Sequence, residues 1–433
     1  MTSENRAKPV TAVLVGAGNR GMLYSSYALS HPDELRITAV ADPDARRRTE
    51  AADKFDIPEE LCFDSVESLI GRGRLAEAAI NGTMDRQHVE TTMPLLEAGY
   101  SVLLEKPICT EEEDLFRLLE AAKRVGSTVM VCHVLRYAPF YASIKQRILD
   151  GEIGEIVSIQ TSEHVSYHHM TVGYVRGKWN REEICGSTML MAKCCHDLDL
   201  IAWMKNGVRP VAVSSFGSLM QYRPENAPEG AGTRCMTDCA VEADCIYSAK
   251  KLHLDRPHWW GQYVWADLRA EGDDLRAKEE SLRTDNPYGR CVYRCDNNTV
   301  DHQSVSVFFE DGCTATHNMI GGTAKPGRYI HIVGTAGEIR GLMEEGRYTL
   351  IHPDPRADGG FREEEVSFDV TGDGHGGGDF RLVADFISAL RGRERSISAT
   401  RLDDSIYGHL TGFAADRARM TGTVVTLDRL PGG

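Results

Sequence analysis

The chain has 433 residues and a mass of 47.9 kDa, too much for one ordinary domain, so two or three are expected. Its 49 Lys and Arg stand against 64 Asp and Glu, and a net charge of −15 disfavours nucleic acid, whose phosphates reward clustered cations. A hydrophobic content of 42% with 26% charged residues is globular composition and excludes a mostly disordered chain. There is no apolar run of membrane-spanning length and no signal-like stretch near Met1, so a soluble cytoplasmic protein without membrane partners is expected. Its 12 cysteines then read as thiols or metal ligands, not disulfides.

In chain order, the first third alternates strand and helix. β-branched and apolar runs predict strands over residues 10–15, 35–41, 78–81, 101–104 and 129–132. Amphipathic stretches predict helices over 19–30, 45–55, 88–98 and 111–125. Strands separated by helices pair in parallel, so residues 1–132 read as a doubly wound α/β domain of Rossmann type. The texture then changes. A helix through residue 150, a strand over 153–161 and a helix over 197–205 precede alternating segments at 300–309 and 314–320. Further short strands are expected at 329–333, 338–342 and 348–352, with a late helix over 379–390. Residues 133–433 therefore read as an α+β domain with a mainly antiparallel open sheet. An insertion rich in Pro, Cys, Asp and Trp interrupts it at about 221–299.

Gly16-Ala17-Gly18-Asn19-Arg20-Gly21 follows the first strand and opens the first helix with the spacing G-x-G-x-x-G. Gly16 permits the tight turn, Gly18 lets backbone approach a pyrophosphate, and Gly21 lets helix and strand pack closely. Asn19 and Arg20 lie at the helix N-terminus, whose free N–H groups suit that phosphate. Asp42 ends the second strand, where an acid binds the ribose hydroxyls of NAD and repels the extra phosphate of NADP. Arg46 and Arg47 lie close by, so NAD is favoured and NADP stays open. Thr83 and His88, near another strand end, are candidates for the nicotinamide half.

Glu105-Lys106-Pro107 follows the strand at 101–104, at the carboxyl edge where open α/β sheets bind ligands. A lysine there can share or take the proton of a substrate hydroxyl as hydride leaves the carbon. The glycine fingerprint, this Glu-Lys-Pro turn and a later His196-Asp197-Leu198-Asp199 helix start together resemble the Gfo/Idh/MocA oxidoreductases. The segment from Val131 to Pro139, with His133 and Arg136, and the turn Gly151-Glu152-Ile153-Gly154 are similar to that family as well. The resemblance implies NAD chemistry with Lys106 as catalytic lysine, Glu105 beside the cofactor, and His196 orienting substrate or relaying its proton. It also implies a homodimer or homotetramer formed through the open face of the second sheet. One departure stands out: many members carry an aspartate where this chain has Ala192. Lys193 is either its replacement or a structural lysine.

Between His164 and Arg181 lie three histidines, two arginines and one lysine without an acid, a local reversal of sign. His168, His169, Tyr174, Arg176, Lys178 and Trp179 are candidate substrate contacts, with aromatic faces for a sugar ring and cations for an anionic group. A solvated loop or a subunit contact explains the same residues. Cys235, Cys239 and Cys245 have the spacing C-x3-C-x5-C, with Cys291 and Cys295 following. Structural zinc on Cys235, Cys239, Cys245 and Cys295 is one expectation, an iron–sulfur cluster another, and merely packed thiols a third.

The leading functional expectation is an NAD-dependent enzyme removing hydride from a secondary hydroxyl, at C3, of a sugar or glycoside, with an anionic sugar suggested by the basic loop. The alternatives are a redox-neutral NAD-dependent glycosidase, working by oxidation, elimination, water addition and reduction, and a non-catalytic NAD-binding redox sensor.

Overall fold

The computed structural model describes residues 8–256, 260–266, 274–369, 375–394 and 396–428. Their strands form two sheets. The first contains β1 (Val10–Val15), β2 (Leu35–Ala41), β3 (Cys62–Phe63), β4 (Ala78–Asn81), β5 (Ser101–Leu104) and β6 (Val129–Val131), in the order β3-β2-β1-β4-β5-β6. Every neighbouring pair is parallel. Helices cover both faces, which is why β1 and β4 are apolar almost throughout instead of alternating. The strand order reverses between β1 and β4, the switch point at whose carboxyl ends doubly wound sheets bind their ligands.

The second sheet holds β7 (Ile156–Ser166), β8 (Pro210–Ser218), β9 (His302–Phe309), β10 (Thr314–Thr323), β11 (Gly327–Gly334), β12 (Glu338–Leu342), β13 (Arg347–Pro353), β14 (Phe361–Ser367) and β15 (Val425–Thr426). Its order is β14-β13-β12-β11-β7-β10-β9-β8-β15, and only β7 and β10 pair in parallel. β9 alternates strictly between buried and exposed residues, as a sheet covered on one face should. The helices Cys195–Met204 and Leu402–Thr421 lie against each other and against the sheet. The outer face leaves Val157, Phe216, Phe308 and Tyr329 exposed, Phe216 by 72%.

Residues far downstream add to the core of the first sheet. The helix Gly378–Leu390 returns to the first domain and sinks Leu382, Val383, Phe386 and Ile387 into the apolar cluster that holds Val10, Ala12, Leu14 and Ile80. The main-chain carbonyl of Thr400 then accepts a hydrogen bond from Val131 N–H on the edge strand β6 at 2.8 Å. Sequence order hides this closure because the returning helix lies far downstream. Among the described residues, the insertion between β8 and β9 consists of short helical turns and the helix Leu275–Arg283. It carries its own small core of Cys235, Ala249, Val264, Trp265, Leu282 and Tyr288, joined by Val172.

Candidate active site

The glycine turn divides its labour. Gly16 has φ +80°, and a Cβ there would meet Gly82 C and Thr83 N at 2.7 Å. A Cβ on Gly21 would lie 2.3 Å from Gly16 O, whereas one on Gly18 would have nothing within 4 Å. Gly16 and Gly21 therefore serve packing, and Gly18 leaves open space over the start of the helix Asn19–Ser25, which has no side-chain cap. This open cradle fits a pyrophosphate. Asp42 is buried and accepts from Ala17 N–H and Asp44 N–H, each at 2.8 Å. Arg46 and Arg47 turn to Asp44 at 3.3 and 3.8 Å, and Arg48 donates to Asp42 O at 2.6 Å. The carboxylate at the strand end and these engaged cations suit a ribose diol better than a phosphate. Thr83 Oγ1 donates to Asn81 Oδ1 at 2.9 Å. The buried His88 ring bridges Pro107 O at 2.6 Å and Thr83 O at 3.1 Å, so it ties together the loops that follow β4 and β5.

Glu105 accepts from Arg20 Nε at 2.9 Å, Tyr24 Oη at 2.8 Å and Lys106 N–H at 2.6 Å. Arg20 also holds Asp379 at 2.5 Å, and Asp379 meets His375 Nδ1 at 3.1 Å. The fingerprint arginine thus joins the Glu-Lys-Pro turn to the returning helix. Burial raises the Glu105 carboxyl, but Arg20 and Lys106 outweigh it and hold it below the usual range. The Lys106–Pro107 bond is cis, and Lys106 Nζ donates to Ala192 O at 2.7 Å. Burial pulls the Lys106 ammonium down, yet Cys195, Glu105 and Asp85 hold it above the ordinary lysine value. His196 is buried with Nδ1 unpartnered, 5.6 Å between ring centres from His133 and 6.0 Å from His375. Burial, then the charge of Lys106, pushes it well below the ordinary imidazole range, so it is neutral. A charged donor and a neutral acceptor therefore share the seam.

Lys193 faces β7. Its ammonium pairs with Glu163 at 3.0 Å, and Arg328 on β11 bridges Glu163 at 2.7 Å and Asp197 at 3.2 Å. Arg328 and Lys193 keep Glu163 low despite burial, while burial raises Asp197 to about 6. Among the described residues, the only three ligand atoms drawn within 4.8 Å of one another belong to Cys194, Asp197 and His317 in this region. Glu163, Asp197, Arg328, His375 and Asp379 had no role in the sequence reading. Only Asp197 carried a signal, its place beside His196. The others are isolated acids or bases on strands and turns whose neighbours come from distant segments.

The loop residues separate. His169 stacks on Trp260 at 4.0 Å, and burial, with the charges of Lys193, Arg328 and Lys106, lowers its pKa. Tyr174 stacks with Trp179 at 5.8 Å. Trp179 Nε1 donates to Asp85 at 3.2 Å, while Lys178 lies 4.2 Å from the indole centre and reaches Met84 Sδ at 3.4 Å. Lys178 and Trp179 therefore meet the loop after β4, at the cofactor side. His168 is buried against Tyr167 at 4.8 Å. His133 is buried between His196 and His409, with Nε2 3.8 Å from Asp199. Two expected substrate contacts are placed elsewhere. Arg136 is consumed by Asp199 at 2.6 and 2.7 Å and by Asp404 at 2.7 Å. Arg176 turns into the insertion, donating to Arg290 O and Tyr247 O at 2.8 Å. Both are fully buried, where a guanidinium needs fixed acceptors.

The expected zinc set also fails to assemble. Cys295 Sγ points at Cys291 O at 3.3 Å, and it is Cys291 that joins Cys235, Cys239 and Cys245 around one narrow cavity. No three of these sulfurs lie within 4.8 Å of one another, whereas tetrahedral zinc thiolates stand about 3.8 Å apart.

A six-stranded dinucleotide-binding sheet joined to a large antiparallel sheet, with lysine and histidine at their seam, defines an NAD-dependent oxidoreductase. Residues 10–133 match the model described as oxidoreductase family, NAD-binding Rossmann fold, and residues 145–427 match the C-terminal alpha/beta domain of the same family. The chain belongs to the Gfo/Idh/MocA oxidoreductases. It is 28% identical over 363 residues to YteT of Bacillus subtilis, described as an oxidoreductase, covering 81% of each chain. It is 26% identical over 208 residues to inositol 2-dehydrogenase of Corynebacterium glutamicum, covering 48% of this chain and 57% of that one. A levoglucosan dehydrogenase solved with NADH and levoglucosan superposes with a TM-score of 0.70 at 17% identity, covering 98% of this chain and all (100%) of that one.

Proposed function

We propose that this chain oxidises a secondary hydroxyl of a neutral sugar or glycoside, with Lys106 binding the hydroxyl oxygen and His196 accepting its proton. The observation that carries this reading is the pairing of protonation states at the seam: an ammonium kept charged and an imidazole kept neutral. The donor stabilises negative charge as it develops on oxygen, and the acceptor is empty at neutral pH. Bound NAD supplies the acceptor for the hydride that leaves the carbon. Glu105, clamped by Arg20, fixes the backbone from which Lys106 projects. Trp179 and Tyr174 offer aromatic surface to a ring, and His169 stands beside Lys106 and Lys193.

A neutral substrate is favoured over an anionic one because most of the loop's positive charge is already spent. Arg176 is internal and Arg181 faces Glu183 and Asp296, while outside the loop Lys193 and Arg328 face Glu163. Several relatives are named for neutral substrates, among them inositol 2-dehydrogenase and a levoglucosan dehydrogenase solved with L-sorbose, although a WlbA dehydrogenase of the same fold is solved with the anionic UDP-GlcNAcA. The open outer sheet face, with Phe216, Phe308 and Tyr329, supports self-association through that surface.

One observation favours a second reading, redox-neutral glycoside cleavage. His169 and His375 are additional imidazoles held below their ordinary range next to the Lys106 and His196 pair. Such a group can remove the proton beside a newly formed ketone and return it to the departing aglycone. The experiment is a screen of free polyols and aryl glycosides that follows reduced nicotinamide and released aglycone together. Stoichiometric reduced nicotinamide supports the dehydrogenase. Aglycone released without it supports the glycosidase. Neither product from any neutral substrate, with turnover of uronates, overturns the neutral-sugar reading.

A further inference from the structure

Cys235, Cys239, Cys245 and Cys291 converge on one cavity inside the insertion, roofed by Val241, Val292, Tyr247 and Tyr293. All four are free thiols, so no disulfide accounts for their convergence. The gap between them holds about one water molecule. A four-thiolate zinc site has no such gap, since its sulfurs touch around an ion only about 2.3 Å from each. The sulfurs here are too spread for that geometry. A cubane spaces its thiolates farther apart than a single ion does.

A second observation is independent of the cysteines. Arg176 lines the same cavity, is 1% exposed, and has Nη1 without a hydrogen-bond partner. Its Nη2 lies 3.5 Å from Cys235 Sγ. The main-chain N–H of Tyr247 points to Cys245 Sγ at 3.4 Å. A buried guanidinium with an idle N–H is costly unless an anion faces it. Glu242, the acid on this wall, is already bonded by Ser248 Oγ. Four cysteinyl ligands on an oxidised [4Fe–4S] core carry a net charge of about −2, and N–H donors to sulfur are the usual second layer around such clusters.

We propose that Cys235, Cys239, Cys245 and Cys291 ligate a [4Fe–4S] cluster, with Arg176 as its buried counter-charge. Each thiol gives up its proton on ligation, and the cluster arrives assembled from iron and sulfide. It staples a segment whose own apolar core is small. It also anchors the substrate loop, because Arg176 lies between Tyr174 and Trp179, and His169 of the same loop stacks on Trp260 of the insertion. Cys295, off the cavity, is no ligand.

The test is isolation of the full chain without air, with iron, acid-labile sulfide and zinc measured per chain, then reconstitution of any empty fraction with ferrous iron and sulfide. The expected result is about four iron and four sulfide per chain, a broad visible absorption that dithionite bleaches, and the spin signal of a reduced cubane. Cys239→Ser and Cys291→Ser should each lose most of that absorption, and Cys295→Ser should keep it. Stoichiometric zinc without iron overturns the proposal, as does a chain that stays colourless after reconstitution. Should the serine variants fail to fold, metal and sulfide content of the unmodified chain decides the question alone.

Discussion

Lys106 Nζ donates to the main-chain carbonyl of Ala192, 2.7 Å away across the seam between the two sheets. Many relatives place a carboxylate at that position by the resemblance noted above, and here a carbonyl receives the lysine. A carbonyl oxygen takes a hydrogen bond but no proton. Under the proposed function this leaves Lys106 as donor and His196 as the group that accepts. Lys193, read from sequence as either a replacement or a structural lysine, pairs with Glu163.

Lys106→Met should lower kcat roughly a thousandfold, and His196→Asn should lower it between about a hundredfold and a thousandfold. NAD affinity should change little in either variant, because neither side chain forms the pyrophosphate cradle. Steady-state rates combined with nucleotide titration check this. Loss of NAD binding alone in Lys106→Met would show that the lysine serves the cofactor.

Gly18→Ala and Gly21→Ala should fail in opposite ways. A methyl on Gly18 meets nothing within 4 Å, so the melting temperature should hold while NAD affinity falls. A methyl on Gly21 lies 2.3 Å from Gly16 O, so the backbone must shift and stability should drop by about 1–3 kcal/mol. Thermal melts with and without NAD separate the two effects.

Asp379→Asn removes the carboxylate shared by Arg20 and His375. Breaking a buried ion network from one side costs roughly 3 kcal/mol. The returning helix should then protect its amides less against hydrogen exchange, while β7 to β14 keep theirs. Uniform loss of protection would contradict a local clamp.

Acid should destabilise the fold early. His133, His317 and His409 are held by burial below the ordinary imidazole value, His317 at about 4 and His409 at about 3. Below about pH 6.5 the unfolded chain binds protons these residues refuse, so each removes about 1.4 kcal/mol of stability per pH unit until its folded value is reached. Asp197 acts oppositely. Its folded pKa of about 6 lies above the unfolded value, so its protonation favours folding as pH falls through 6. Six histidines are lowered by burial in this way, His169, His196 and His375 included, against Asp197, Asp199, Asp416 and Glu182 raised by burial, so chemical denaturation should show stability falling from pH 6.5 to 4. His409→Gln should make that fall shallower.

Phe216→Asp places a charge on the most exposed aromatic of the outer sheet face. Sedimentation should show the unmodified chain as a dimer or larger and the variant as a smaller species, with an unchanged melt at low concentration. A monomeric unmodified chain would sink the proposed association.

Much of the architecture is written in local pattern. The glycine spacing after β1, the apolar strands between helices and the strict alternation of β9 each report an environment that neighbours in sequence already impose. So does the Glu-Lys-Pro turn, because a strand end at the carboxyl edge is a place definable from a single segment. What tertiary structure alone decided are the pairings of isolated charges. Arg20 finds Asp379, Arg136 finds Asp199 and Asp404, and Arg328 finds Glu163 and Asp197. In sequence the loop from His164 to Arg181 reads as a basic surface for an anion. In the fold, burial demands partners for Arg176, which takes them from Arg290 O and Tyr247 O of the insertion, while Arg181 meets Glu183 and Asp296 nearer the surface. Local periodicity sets which face a residue shows; which charge meets it there depends on chain crossings that no window of sequence contains.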